Sequence, residues 1–316
     1  MPSLSWPRLR FRIGDFVVDG RRVTLVKTGN TAAIDGALVA EIAIWLTCLA
    51  AVRLAALRHL GRRRRAIWFT PDRPRQRHMV RIAAIWAGIR LARSPDTADA
   101  AFFFEDATVS EPPPPHHSRA LNFACADIGK GHVAAVFERV FGYPLALDPA
   151  AWTGPAVEKS DANGTHDGRI VACPGVARPG FVYQYVVDNV ADGISTDLRT
   201  HVVGGTVVAV WIKRRRAAAR FQPANLSATL VDPAGVFTAD ERDRIGAFAT
   251  AMGADWAGLD VLRDSGNGRI YIVDVNKTDA GPIIALPFAA KLRSVALLAA
   301  ALTKLVAPAP HERVPR

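Results

Sequence analysis

Two short motifs near the end of the chain, Gly258-Leu-Asp260 and Asp274-Val-Asn276, decide the fold. Each lies in an apolar run with strand character, and the two runs flank the turn-forming stretch Asp264–Gly268. Because side chains alternate along a strand, Asp274 and Asn276 share one face, and Asp260 comes within about one register step of facing Asp274. Two carboxylates and an amide oxygen suit Mg²⁺, which binds few protein ligands. The alternative is a strand whose polar face meets water.

Lysine is scarce in this chain, and one of its seven lysines lies beside a loop that could bind phosphate. Lys159 closes the run Ala-Val-Glu-Lys, directly before the glycine-containing loop Asp161–Gly168. Backbone N–H groups and a lysine beside such a loop can hold phosphates. An ordinary hairpin lysine is the alternative.

A third group of charged residues follows the loop. Asp197 and Arg199 share a strand face and are expected to pair, either within a site or as a surface ion pair of little energetic value. Lys213-Arg214 ends the next strand pattern, and the insert Arg220–Asn225 comes after it.

Composition places the chain among ordinary globular proteins. It has 316 residues, of which 50% are hydrophobic, and 40 Lys+Arg against 29 Asp+Glu give a net charge of +11. This excludes a disordered chain or a small disulfide scaffold, and the basic balance favours anionic partners. Nucleic acid is a less favoured partner because no nucleic-acid motif accompanies the arginine runs. No P-loop, GxGxxG or GxSxG pattern occurs.

Cysteine usage and the N-terminus bear on the compartment. Cys48, Cys125 and Cys173 are odd in number and scattered, which favours a reducing environment. The first twelve residues lack the apolar core of a signal peptide. We therefore expect a cytoplasmic protein.

The first part of the chain, 1–118, is expected to form an α/β domain. A hairpin around Asp19-Gly20 precedes a strongly apolar helix over 37–60. Its uncharged core, Ile42–Val52, is eleven residues long, about half of a membrane span, which favours a buried core helix over an interfacial one. The following strands alternate with helical patterns, as in a parallel sheet.

The second part, 119–306, has the sequence pattern of an α+β domain, and 307–316 is expected to be a polar tail. Apolar runs there read as β-hairpins, one of them turning at Gly204-Gly205. Thr238 and Glu241 form a capping box that opens a helix, and an apolar helix near 286–305 ends the domain.

The order of these motifs over roughly 119–285 resembles the ATP-grasp superfamily, and within it the ribosomal-protein glutamate ligases and related amino-acid ligases. The resemblance implies an ATP-grasp fold preceded by a Rossmann-like pre-ATP-grasp domain. It implies that Lys130 and Lys159 bind the phosphates of ATP and that Asn163–Gly168, which includes His166 and Gly168, is the flexible phosphate loop. It also implies a hinge strand whose backbone meets the adenine edge at Gln184, Tyr185, Val186 and Val187, with Asp188 or Asn189 just beyond it reaching the ribose.

The same resemblance implies an ADP-forming carboxylate–amine ligase that works through an acyl phosphate. Asp260, Asp274 and Asn276 fall where the family binds one or two Mg²⁺ ions, for which Mn²⁺ could substitute. Candidate catalytic residues on the acyl-phosphate side are Arg199, Lys213, Arg214 and Asn225. Asp274 stands where the family usually has Glu, and Gly258 where it often has Arg.

The partners expected are ATP and an amino acid, a peptide or a related small acid. A homodimer is compatible with the sequence, and peripheral membrane contact is a less favoured expectation. A non-catalytic ATP-binding protein and a small-molecule kinase on the same fold remain as alternatives.

Overall fold

The structure, a computed structural model, describes residues 10–13, 16–26, 31–62, 64–115, 117–222 and 225–307. The described residues fall into two compact units on either side of the Ala50–Ala51 bond. The expected domain division near residue 118 lies within the second unit and stays a prediction. Most of the expected tail, 308–316, lies outside the described residues.

The first unit contains a four-stranded antiparallel sheet. Its strands follow chain order: β1 (Arg10–Ile13), β2 (Phe16–Asp19), β3 (Arg22–Leu25) and β4 (Thr31–Ala33). Asp19 pairs with Arg22 across the turn, where Gly20 has a φ of +57° that a residue with a side chain rarely adopts. The hairpin predicted at Asp19-Gly20 is confirmed.

Helix α1 (Gly36–Ala56) begins in the first unit and ends in the second. The prediction of a buried core helix is wrong. Over Leu38–His59, 22 residues, it has the length and apolar composition of a membrane-crossing helix, and only 17% of its most apolar window is buried. Its buried side chains, among those the structure describes, are Cys48, Leu49 and Val52. The apolar pattern predicts that this segment is helical, but it does not show whether another part of the chain packs against the helix.

A four-stranded parallel sheet follows in the second unit. Its order is β6-β5-β7-β8, formed by β5 (Ala66–Pro71), β6 (Arg90–Leu91), β7 (Ala100–Phe104) and β8 (Ala120–Leu121). Every residue of β7 is buried, as expected for a central strand covered on both faces. Helix α2 (Met79–Trp86) follows a turn in which the His78 ring accepts a hydrogen bond from the Arg75 amide at 2.8 Å.

A three-stranded antiparallel sheet carries the lysine-bearing hairpin. Its order is β10-β9-β11, formed by β9 (Gly154–Ser160), β10 (Arg169–Cys173) and β11 (Phe181–Tyr185). Helix α3 (Lys130–Phe141) precedes it and ends at Gly142, which is left-handed with a φ of +76°.

The largest sheet is antiparallel and has the order β15-β14-β13-β16-β17, with β12 beside β13. Its strands are β12 (Val190–Ala191), β13 (Ile194–Val203), β14 (Thr206–Arg216), β15 (Ser227–Val231), β16 (Trp256–Arg263) and β17 (Ile270–Asn276). Two further helices complete the second unit, α4 (Ala239–Ala251) and α5 (Phe288–Leu305). The predicted capping box at Thr238 is present.

The core of this part positions the site. Apolar side chains of α3 and α4 bury one face of the large sheet, including Phe137, Phe248, Val261 and Ile272. Val261 and Val275 belong to this core, and because strand residues alternate, the adjacent Asp260 and Asp274 point to the other face. A register shift between Asp260 and Val261 lets Ile272 pack in the same core.

Candidate active site

Asp260 and Asp274 lie directly opposite each other on β16 and β17. Two positions further along the pairing, Gly258 lies opposite Asn276, whose side-chain nitrogen lies 3.4 Å from an oxygen of Asp274. The prediction that Asp260 lies within about one register step of facing Asp274 is confirmed. Three polar side chains therefore meet at one end of the hairpin.

Two cations hold the carboxylate of Asp260. Arg199 on β13 faces Asp260 in the register, with its Nε 3.3 Å from Oδ1, and Lys213 Nζ donates to the same oxygen at 2.7 Å. Burial alone would raise the pKa of Asp260, but Arg199 and Lys213 hold that pKa well below its usual range. Asp260 is therefore ionised at neutral pH.

Asp274 is in a different electrostatic state. Its Oδ1 is buried and has no hydrogen-bond partner. Burial raises the pKa of Asp274, although Lys130 and Lys159 pull it down. An unpartnered carboxylate oxygen beside a second carboxylate and an amide fits a hard divalent cation. Within the described residues no group of three or more His, Cys, Asp or Glu could hold a metal ion, so a cation here would need the Asn276 amide oxygen as its third ligand.

The two lysines predicted to bind phosphate, Lys130 and Lys159, lie near this pair of carboxylates. Lys159 Nζ donates to the Val273 carbonyl at 2.9 Å, and Lys130 Nζ donates to the Ala162 carbonyl at 2.6 Å. Burial lowers the pKa of Lys159 to about 8, even though Asp274 opposes this. Burial also lowers the pKa of His166, against the attraction of Asp274 and Asp260.

The loop after Lys159 is held at both ends. Asp161 accepts a hydrogen bond from the Gly131 amide at 2.8 Å and so caps the start of α3. The Asn163 amide donates to Thr108 Oγ1 at 2.8 Å. A Cβ on Gly168 would lie 2.8 Å from the Phe221 ring, so this close approach requires glycine. The loop Asn163–Gly168 is thus placed next to Lys130.

Asp197 belongs to the cluster in an unexpected way. Its expected pairing with Arg199 is wrong, because Arg199 reaches across to Asp260 on the neighbouring strand. Asp197 instead accepts from Arg215, with Lys213 Nζ at 3.8 Å. Asn189 Nδ2 also donates to Asp197 at 3.2 Å.

The structure does not bring Arg214 into the cluster. Neighbours on a strand point to opposite faces, so Lys213 and Arg215 are buried while Arg214 is exposed. Arg215 was missed from the sequence, although strand alternation from Lys213 would have indicated it. Asn225 lies directly before β15, three places from β16 in the strand order.

Some backbone and side-chain groups of the predicted hinge, residues 184–187, already form hydrogen bonds within the protein. Gln184 is buried, and its side-chain nitrogen has no hydrogen-bond partner. The Tyr185 amide donates to Leu145 O at 3.1 Å. The Val187 carbonyl accepts from Arg220 at 3.0 Å and from the Asn189 amide at 3.1 Å.

The other hinge residues follow β11. Val186 is half-buried. Asp188 is exposed and accepts from Ser265 Oγ at 2.6 Å, a bond that lowers the pKa of Asp188. Among these hinge residues, Gln184 has a buried side-chain nitrogen without a hydrogen-bond partner.

The chain just after Asn276 is fastened to the parallel sheet. Lys277 Nζ donates to Ser110 Oγ at 2.6 Å, and Thr278 Oγ1 donates to Asp106 at 3.1 Å. The Met79 amide donates to the Asp279 carbonyl at 3.0 Å, and the Gly281 amide donates to Arg77 O at 2.9 Å. The loops after β5 and β7 therefore border the site.

The cluster has an excess of positive charge. Five cationic side chains surround three carboxylates, namely Lys130, Lys159, Arg199, Lys213 and Arg215 around Asp197, Asp260 and Asp274. Such a surplus in a partly buried cleft favours a polyanion.

Comparison with known proteins identifies the fold. No family model matches the chain, and no curated protein matches its sequence. The chain is similar to the ATP-grasp ligase PsnB in complex with a minimal precursor variant, Mg and ADP, with a TM-score of 0.51 at 12% identity over 77% of this chain and 98% of that one.

Two other solved structures are more distant in fold. A RimK domain ATP-grasp protein from Sphaerobacter thermophilus has a TM-score of 0.46 at 16% identity, over 76% of this chain and 99% of its own. The D-cycloserine synthetase DcsG has a TM-score of 0.46 at 14% identity, over 77% and 99%. At these identities the likeness concerns the fold.

Proposed function

We propose that this chain, which has the ATP-grasp fold, is an ADP-forming ligase that joins a carboxylate to an amine. One observation carries the proposal: five cations converge on Asp260 and Asp274, and a carboxylate oxygen of Asp274 is left without a partner. This combination suits a triphosphate together with a divalent cation.

The nucleotide would lie between the two antiparallel sheets of this region. Lys130 and Lys159, whose ammonium groups lie beside this region, would neutralise the phosphates, and Gln184, with its unpartnered side-chain nitrogen, would meet the base edge. Asp260, Asp274 and Asn276 would hold Mg²⁺, or Mn²⁺, which when bound neutralises charge on the phosphate oxygens.

The chain's own groups account for the chemistry by positioning and charge. The substrate carboxylate attacks the γ-phosphorus of ATP, so that ADP leaves and an acyl phosphate forms. The amine then attacks the acyl carbon, loses a proton and expels inorganic phosphate. Arg199 is one-fifth exposed and can hold the entering carboxylate or the acyl phosphate through two N–H groups. No protein nucleophile is required.

The substrate class that fits is an amino acid, a peptide or a related small acid. The surplus of cations favours an acid as the phosphoryl acceptor. The loops after β5 and β7, which border the site, are the part of the chain placed to contact it.

Product analysis tests the proposal. The full chain is incubated with ATP, Mg²⁺ and a panel of amino acids and peptides, and ADP, phosphate and the ligated product are measured. Asp274→Asn should lower ADP release by about 100-fold or more, as loss of a charged group at a phosphoryl site does. Asp243→Asn removes an exposed carboxylate on α4 and serves as the matched control.

The other outcomes separate the alternatives. AMP and pyrophosphate as products would overturn the acyl-phosphate route. A stable phosphorylated acceptor formed without an amine would identify a kinase. Stabilisation by ATP with no turnover on the whole panel would identify a non-catalytic ATP-binding protein.

A further inference from the structure

A groove rich in arginine lies beside β6, the edge strand of the parallel sheet. Two adjoining surface pockets share Arg64 and Arg90. Together they are lined by five arginines, which we call the arginine groove: Arg62, Arg64, Arg73, Arg81 and Arg90. Asp96 and Asp99 line one end, and apolar residues such as Ile85 and Leu91 line the other. Cations therefore outnumber carboxylates.

Three of these arginines donate to backbone carbonyl groups rather than to carboxylates. Arg64 Nε donates to His59 O at 3.2 Å, and Arg73 donates to the carbonyls of Leu91 and Ala92. Arg81 donates to Pro74 O at 2.8 Å, while its Nε is buried with no hydrogen-bond partner. Among the residues that the structure describes, none of the five forms an ion pair with a carboxylate. The groove therefore attracts an anion from outside the chain.

Burial and the neighbouring arginines destabilise the charge of Arg81. Its pKa is lowered first by burial and then by the charges of Arg73 and Arg53. An anion bound between these side chains would relieve that repulsion.

Exposed leucines flank the groove. Leu54, Leu57 and Leu60 are 67%, 53% and 64% exposed, and their neighbours Ala56 and Gly61 line the pockets. Exposed apolar side chains grouped in this way mark an interaction site.

The end of α1 is held firmly in place. Arg58 donates to Trp86 O at 2.9 Å and lies 4.9 Å from the centre of the Trp86 ring. Arg53 donates to Gln76 at 2.9 Å. The leucines thus project from a fixed element beside the arginines.

We propose that the end of α1 and the arginine groove dock on the surface of an anionic phospholipid bilayer. The phosphate groups of the lipid would meet the arginines, while the acyl boundary would accept the leucines. A nucleic acid would pair with the arginines but would leave the leucines in water. This inference does not depend on the proposed ligase activity.

Vesicle flotation of the full chain tests the docking. The probes are vesicles of phosphatidylcholine alone and of phosphatidylcholine mixed with phosphatidylglycerol. The chain should float with the anionic vesicles, more weakly at high salt. Arg62→Gln with Arg90→Gln should weaken this binding about twentyfold, because each basic side chain at an anionic surface contributes roughly a fivefold factor.

Three matched variants complete the design. Arg139→Gln with Arg293→Gln removes the same charge from exposed positions on α3 and α5 and should bind as the parent does. Arg62→Lys with Arg90→Lys keeps the charge and should retain binding. Leu57→Gln with Leu60→Gln should weaken binding by about tenfold through lost apolar burial. Melting curves confirm that each variant is folded.

Several results would overturn the proposal. One is equal flotation of the chain with neutral and with anionic vesicles. Another is a loss of vesicle binding in the Arg139→Gln, Arg293→Gln control that equals the loss in Arg62→Gln, Arg90→Gln. Displacement by inorganic phosphate, with no effect of the leucine changes, would show a soluble-phosphate site instead. Arginine-dependent binding to duplex DNA without vesicle binding would show a nucleic-acid site.

Discussion

Lys159 links the protonation state of one side chain to nucleotide binding. Its pKa is lowered to about 8, while the proton would be held to about 10.5 in the unfolded chain. Triphosphate oxygens beside the lysine favour the ammonium form. We therefore predict that ATP affinity falls as the pH rises above about 8 and that binding there takes up a proton. Calorimetry in two buffers of different ionisation enthalpy measures the uptake.

Two variants isolate this effect. Lys159→Arg keeps a charge that does not titrate in this range, so the pH dependence should disappear, and Lys159→Met should bind weakly at every pH. An unchanged pH profile in Lys159→Arg would contradict the assignment. The free energy of unfolding should depend on pH in the opposite direction to ATP affinity. Because the unfolded chain holds more protons between about 8 and 10.5, Lys159 should make the free energy of unfolding rise with pH over that interval.

Arg214 and Arg215 are adjacent but should respond differently to substitution. Arg215→Ala leaves the buried carboxylate of Asp197 with Lys213 at 3.8 Å as its remaining cation. We predict that it lowers the free energy of unfolding by about 2–3 kcal/mol. Arg214→Ala alters an exposed side chain and should change it by less than about 0.5 kcal/mol. Urea denaturation compares the two, and equal losses would contradict the assigned faces.

The residue-level predictions succeeded where the chain is local. Asp260 and Asp274 come close because a short turn joins their strands, although the register counted from that turn would pair Asp260 with Val273. A register shift between Asp260 and Val261 brings Asp274 opposite instead, and this is the one-step margin within which the sequence predicted the pair. The partner of Arg199 is not local, since β13 and β16 lie far apart in sequence and pair only in the folded sheet. Strand periodicity could not place Arg199 on Asp260 and suggested Asp197 instead.

The capping box tests the start of α4 as an element. Thr238 Oγ1 accepts from the Glu241 amide at 3.1 Å, and the Glu241 carboxylate accepts from the Thr238 amide at 2.9 Å. Thr238→Ala should lower the free energy of unfolding by about 1 kcal/mol, measured by denaturant titration. Thr238→Ser keeps the acceptor and should remain close to the parent. A similar loss in both variants would point to the methyl group rather than the cap.

Helix α1 marks the limit of prediction at the level of elements. Its existence follows from composition, but whether it is covered depends on which surfaces the rest of the chain provides. The uncharged apolar run Ile42–Val52 is compatible with a buried core helix and equally with an exposed one. The structure leaves most of that helix exposed, so the burial prediction failed for a physical reason rather than a statistical one.

For the molecule as a whole, nucleotide binding should appear as added stability. ATP at 100 times its dissociation constant stabilises a folded protein by about 2.7 kcal/mol. We predict a larger rise in melting temperature with ATP and Mg²⁺ together than with either alone, decreasing as salt screens the surplus cations. AMP, with less charge, is the control. Equal shifts from AMP and ATP would contradict a polyphosphate site.

The order of sheets shows what the sequence pattern could predict at this scale. A parallel α/β region followed by antiparallel hairpins was predicted and is confirmed. Edge strand β15 was not predicted, because Ser227–Val231 is short and lies next to an insert. Sheet order depends on contacts across long separations, which strand periodicity does not encode.

The bonds that fasten residues 277–281 to the loops after β5 and β7 have a consequence for protein engineering. Asn276 is only one residue from Lys277 and three from Asp279, whose carbonyl is bonded to the Met79 amide. Replacing residues 72–78 with a foreign loop would therefore displace the end of β17. A successful graft must keep His78, Met79 and the Arg77 carbonyl in place, so that the loop can be changed without moving Asp274 and Asn276.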